Sequence, residues 1–277
     1  MSLRINTNIQ ALSAQRYLGI NNEAQNRSLE KLSSGTRINR AGDDAAGLAI
    51  SEKLKGHIRS LKQAGRNAND GISMIQTAEG AMNEVGNIMI RMRELSIQGA
   101  SDTIGDTERG FIHKEVAQLK DEVDRIAFST EFNGRKLLNG SEEKLEIQVG
   151  LNNDPFNDRF VFDGKGLQVD LQALGLGNIS TETKVQAQEN LTMLDGAITQ
   201  INESRANLGA LQNRLQSTIN NLGIYRENLS EANSRIRDTD MAEESSELVR
   251  NNILTSSTIA MLGQANTNPQ AALKLLS

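Results

Sequence analysis

The sequence predicts a mainly α-helical protein, a long antiparallel helical bundle or coiled coil with a small β-hairpin insert, and three observations predict it. Seven successive heptads place a branched apolar residue at one position: Leu194, Ile201, Leu208, Leu215, Leu222, Leu229 and Ile236. A repeat of seven without a slip keeps one seam of a helix turned toward a partner, here over on the order of 60 Å at about 1.5 Å per residue. In the first half, Leu54, Ile58, Leu61, Ala64, Ala68, Ile72, Ile75, Ala78, Met82, Val85, Met89 and Met92 recur at steps of three and four, the spacing of an amphipathic helix able to serve as that partner. The only prolines are Pro155 and Pro269, so nothing breaks either run, where an interior proline would cost about 3 kcal/mol.

The elements follow in order. A first helix covers about Asn6 to Ser34 and stops at Gly35, which suits a left-handed C-cap. Asn39 to Asp44 is a loop whose two acids, Asp43 and Asp44, suit capping of the next helix far better than metal binding or acid–base chemistry. The long second helix ends near Gly99, and a third, roughly Thr107 to Ser129, repeats the pattern through Ile112, Val116, Leu119, Val123 and Ile126. Asn133-Gly134 and Asn139-Gly140 are turn dipeptides, and Lys144 to Val149 and Arg159 to Phe162 alternate as strands do. Gly164, Gly166, Gly175 and Gly177 keep the following stretch irregular, so that residues 141–181 form a short insert, a modest exposed element. The ladder helix begins near Glu182 and is interrupted at Arg237 to Asp240, where Asp240 and Glu243 have the spacing of a capping box for a last helix. Along the ladder, the companion seam is mixed, with Arg205 and Gln212 between Ile198, Leu211, Ile219 and Tyr225, which favours partners from within the chain over a simple two-stranded zipper.

Composition narrows the function classes. The 277 residues include no Cys and no Trp, and aromatics make up 3%. So few aromatics suit thin helical bundles rather than a thick globular core, and the lack of Cys excludes thiolate metal sites and disulfides. The net charge of −5 comes from interspersed residues, which gives nucleic acid no basic patch to bind. No run approaches a membrane span and the first residues lack an apolar signal core, so export, if it occurs, is expected to need no cleaved signal. His57 and His113 are the only histidines, and neither belongs to a zinc motif. There is no nucleophile constellation and no phosphate loop: no catalysis, metal or cofactor is expected.

Both ends are patterned and uncharged. Ile5 to Gln15 and Asn251 to Leu273 contain no charged residue, yet their Asn, Gln, Ser and Thr content argues against a membrane segment. Ile5, Ile9 and Leu12 share one helical face, and Ile253, Leu254, Met261 and Leu262 supply the apolar positions of the other end. Short helices of this kind are marginal alone and make sense when many copies bury them together.

Several long motifs carry a resemblance. Leu3 to Asn8, Leu29 to Asn39, Ala41 to Ile50, Arg91 to Leu95 and Glu131 to Gly134 resemble the amino-terminal region of bacterial flagellins. Ser234 to Asp240 and Gln264 to Asn266, with Pro269-Gln270, resemble the far end of the same family. The resemblance implies a flagellar filament subunit, exported unfolded through the flagellar type III channel and polymerised at the tip. It implies terminal helices, residues 1–40 and 240–277, that pair as the inner tube of the polymer, and a helical wall from residues 41–140 and 182–239. Implied partners are further copies of the chain, an export chaperone and the export gate, and the filament cap and hook-associated junction proteins. The resemblance also implies a wall patch read by a vertebrate Toll-like receptor, at the matching positions Arg91, Leu95 and Glu115. The location implied is outside the cell, or the periplasm in a periplasmic flagellum. Large outer domains of many flagellins have no room here, so the chain is similar to a minimal member.

The Met74, Met82, Met89 and Met92 series suits seam filling, and Asn-x-Ser/Thr triplets such as those at Asn26, Asn178, Asn190, Asn202 and Asn228 are expected by chance in such a composition. Two alternatives to the filament subunit are a hook–filament junction protein and a secreted coiled-coil module that binds host receptors.

Overall fold

The computed structural model describes residues 7–140 and 144–274. Five helices dominate: α1 (Ile9–Ser34), α2 (Ala45–Gly99), α3 (Asp106–Ser129), α4 (Lys184–Arg237) and α5 (Met241–Lys274). Between α3 and α4 lie strands β1 (Glu131–Phe132), β2 (Arg135–Lys136), β3 (Leu145–Gln148) and β4 (Arg159–Phe162), then a 3-10 turn at Lys165–Leu167. The chain forms two compact units, Ile58–Glu227 and the pair of segments Met1–His57 and Asn228–Ser277.

Local chemistry sets the helix ends. Asn8 caps α1 by accepting the Ala11 N–H at 3.1 Å, and Gly35, at φ 69°, ends it with its own N–H on the Lys31 carbonyl at 2.8 Å. Asp44 accepts the Gly47 N–H at 2.8 Å at the start of α2. Its neighbour Asp43 accepts the N–H groups of Asn39 and Arg40 at 3.1 and 2.9 Å, and these bonds hold its carboxyl below the usual range. At the α4–α5 break, Asp240 accepts from Ala242 at 2.8 Å and Glu243 at 3.3 Å.

In the unit Ile58–Glu227, α2 and α4 run antiparallel. Glu79 faces Arg205 at 4.0 Å, Arg93 holds Asp195 at 2.6 Å, and Asp102, just past the end of α2, holds Lys184 at 2.6 Å, so position rises on one helix as it falls on the other. Their shared core includes Ile75, Met82, Val85, Met89 and Met92 of α2 with Leu194, Ile201, Leu208 and Leu215 of α4. The ladder is buried only that far. Leu222, Leu229 and Ile236 are half-buried and lie outside the buried core cluster, whose last α4 member is Leu215.

The insert is more than an exposed appendage, which corrects the expectation for residues 141–181. Leu145, Val149, Phe162, Leu167, Val169, Leu171, Leu174, Leu176 and Ile179 are all buried in the same core. Its backbone is tied to α3, with the Leu171 N–H on Asp124 at 3.0 Å and Lys120 Nζ on the Gly177 carbonyl at 2.9 Å. The β3–β4 hairpin pairs Leu145 with Phe162 and Gln148 with Arg159. It lies so close to α2 that a Cβ at Gly71 would come within 2.7 Å of Ile147 Cδ1. The two-residue strands β1 and β2 close over Asn133-Gly134, both at positive φ, as a tight hairpin turn demands.

Candidate assembly surface

The terminal helices α1 and α5 pair antiparallel within one unit. Asn21 donates to Thr258 Oγ1 at 3.1 Å, Gln25 to Asn252 Oδ1 at 2.6 Å, and Lys31 meets Glu244 at 3.2 Å. Where α1 meets the chain leaving α4, the Arg37 N–H bonds the Arg237 carbonyl at 2.6 Å and the Thr239 N–H bonds the Gly35 carbonyl at 3.1 Å. Arg237 also holds Glu52 at 2.5 Å and keeps that carboxyl below its usual range.

What this pair lacks is a core. Among the described residues, Ser28 alone is buried in α1 and Ala265 alone in α5. The sequence-predicted apolar positions are instead turned outward: Ile9 is 62% exposed, Leu12 58%, Ile253 61% and Met261 68%. Leu254 is exposed too and Leu262 half-buried, while Ile5 lies outside the described residues. Ile9, Ala14, Tyr17, Leu254, Met261 and Ala265 line a largely apolar groove of about 620 Å³ between the helices. Uncharged residues such as Ser13, Ser257 and Gln264 share its lining. So much accessible apolar surface on one helix pair makes it a candidate interaction surface. Water is displaced from it only when something else packs there, and burial is worth about 25 cal/mol per Å².

The three positions matched to a receptor patch do not act alike. Arg91 and Glu115 are exposed and joined at 2.8 Å, with Glu94 on the other side of Arg91 at 3.1 Å. Leu95 is 2% exposed and belongs to the α2 core stripe, so it is corrected from a contact residue to a packing residue. It follows Met92 by one helical step of three, and that spacing is the sequence signal for burial.

Arg109 was missed by sequence reasoning. It is 8% exposed, and its guanidinium donates to the carbonyls of Gly99 and Ser101 at 3.0 and 2.9 Å and meets Asp106 at 2.9 Å. It therefore satisfies the Gly99 carbonyl that α2 leaves unpaired and the Ser101 carbonyl in the turn into α3. The only hint was its position four residues after Gly105.

Residues 5–143 match the bacterial flagellin N-terminal helical region, and residues 191–276 match the C-terminal helical region. The chain belongs to the bacterial flagellin family. It is 46% identical to a flagellin of Halalkalibacterium halodurans, over 98% of this chain and 99% of that one. Flagellin of Bacillus subtilis is 44% identical over 99% and 100% of the two chains. A flagellar filament 30.7 kDa core protein of Treponema maltophilum is 46% identical over 99% of each. Among solved structures, the crystal structure of Bacillus cereus flagellin superposes with a TM-score of 0.50 at 34% identity, covering 57% of this chain and 88% of that one. As a flagellin, the chain is a structural subunit of a flagellar filament, and nothing among these relatives favours the junction protein or the host-binding module.

Proposed function

We propose that this filament subunit assembles through the outward faces of the α1–α5 pair, with residues 1–40 and 240–277 forming the inner tube of the polymer. The observation that carries this reading is the exposure of Ile9, Leu12, Ile253 and Met261 on a helix pair with almost no buried side chain of its own. The helical residues 41–140 and 182–239, with the insert packed on them through side chains between Leu145 and Ile179, then serve as the wall. The subunit does no chemistry. It reaches the growing tip in an unfolded state through the export gate, escorted by an export chaperone, and meets the filament cap and the hook-associated junction proteins at the two ends of the polymer. A Toll-like receptor would read the exposed ion pair Arg91–Glu115 without Leu95.

The test uses the full chain. Ile253→Asp with Met261→Asp places two charges on positions that are solvent-exposed in the free subunit, so helicity and melting temperature should stay unchanged. Polymerisation in ammonium sulfate, which strengthens apolar burial, should be abolished, because the same charges would be desolvated in the polymer. Normal filaments from this variant under electron microscopy would overturn the reading, as would normal filaments from a chain lacking residues 1–40 and 240–277.

A further inference from the structure

Many large apolar side chains of α1 and α5, Ile9, Leu12, Ile253 and Met261 among them, are exposed, and polar groups join the helices at four levels. Asn8 Nδ2 donates to the Ala265 carbonyl at 2.8 Å, Asn21 to Thr258 at 3.1 Å, Gln25 to Asn252 at 2.6 Å, and Lys31 pairs with Glu244 at 3.2 Å. Residue numbers rise on α1 as they fall on α5, so one antiparallel register satisfies all four at once. Part-exposed hydrogen bonds of this kind add little net stability, because water offers the same bonds to the separated helices. Their value lies in selectivity. A leucine seam that slides by one turn still meets leucine, whereas a short amide that slides by one turn loses its only partner.

We propose that Asn8, Asn21 and Gln25, with their partners on α5, are positioning residues that fix the register of the terminal pair. The register matters because the groove is shared: Ile9 and Tyr17 on α1 line it together with Leu254 and Met261 on α5. A slip of one turn, about 5.4 Å, would separate these side chains and present a different surface to the next copy. Fixing the register thus makes every subunit offer the same face, which a helical polymer needs at each step. This inference rests on the reading that the α1–α5 pair is the assembly surface.

The chain contains no Cys, so engineered cysteine pairs report the register directly. Two reporters are built in the full chain: Asn8→Cys with Ala265→Cys, which is in register, and Asn8→Cys with Met261→Cys, displaced by one turn. Each is made with Asn21, Gln25, Asn252 and Thr258 intact and with Asn21→Leu, Gln25→Leu, Asn252→Leu and Thr258→Val combined. After assembly in ammonium sulfate and mild oxidation, intramolecular disulfide is measured in the pelleted material, whatever its form. With those four residues intact, the in-register pair should cross-link at least about tenfold more than the displaced pair, and the apolar variant should fall to about threefold or less at unchanged helicity. An apolar variant that keeps the tenfold preference, with or without filaments, overturns the register role. Filaments of the reporters that keep Asn21, Gln25, Asn252 and Thr258, with no cross-link in either, would show that the pair is not present in the polymer, overturning the assembly reading itself.

Discussion

Leu215→Ala tests where the buried part of the ladder ends. The Leu215 side chain is fully buried, and its Cδ1 lies 3.5 Å from where a Cβ on Gly71 would sit, so it fills the space where α2, α4 and the hairpin converge. Removing three carbons forfeits about 2–2.5 kcal/mol of transfer free energy, and the hole left between two helices and a hairpin cannot collapse fully, so a total of about 3 kcal/mol is expected. At about 3 °C per kcal/mol for a unit of this size, the melting temperature should fall by about 9 °C. Leu229→Ala removes the same atoms two heptads further on, where the side chain is half-buried and no closed cavity forms. Its cost should be about 1 kcal/mol, or about 3 °C. The assay is thermal unfolding of the free subunit by circular dichroism at 222 nm, with urea titration giving the free energies. Equal losses for the two variants would refute the claim that the seam changes character after Leu215.

Three further predictions follow from the packing and the charges. Gly65→Ala, on an open face of α2, should raise stability by about 0.5–1 kcal/mol through helix propensity. Gly71→Ala should show no such gain, since its Cβ would press within 2.7 Å of Ile147 Cδ1; both are read from urea midpoints. Arg109→Ala should cost about 2–3 kcal/mol by leaving the Gly99 and Ser101 carbonyls without their donor, and a loss below about 0.5 kcal/mol would remove the corner from the structural account. Acid sensitivity should come from carboxyls held below their ordinary values: Glu52 by the Arg237 hydrogen bond, Asp195 by the Arg93 hydrogen bond and Asp43 by backbone N–H groups. Because folding depresses these values, their stabilisation is complete above the ordinary 3.8 to 4.5 and is lost as pH falls below it. Glu52→Gln with Asp195→Asn should therefore flatten the melting-temperature decline below that range, and added salt should weaken the ion-paired share while sparing that of Asp43.

The helices were legible because each carries its own signature. The 3-4 spacing from Leu61 to Met92, the heptads from Leu194 to Leu215, Gly35 as a stop and Asp240 as a start are local features, and local features set local structure. The hairpin strands were visible too, since period-two alternation and turn dipeptides act over a few residues. The terminal polar faces were legible in composition: uncharged, patterned, and short of a core.

Tertiary structure decided what depends on distant residues meeting. The burial of Leu167, Val169, Leu171, Leu174 and Leu176 has no periodicity to betray it, because they join a cluster whose other members come from helices elsewhere in the chain. Leu222, Leu229 and Ile236 continue the heptad faithfully yet stay half-buried, since a repeat fixes which way a side chain faces and cannot fix whether a partner stands there. Leu95 was assigned to a contact by motif and to the core by packing. The register of α1 on α5 is likewise invisible along the chain: amides 227 or more positions apart become partners only once two helices lie side by side. Sequence periodicity is a property of neighbours, and burial is a property of everything that folds against them.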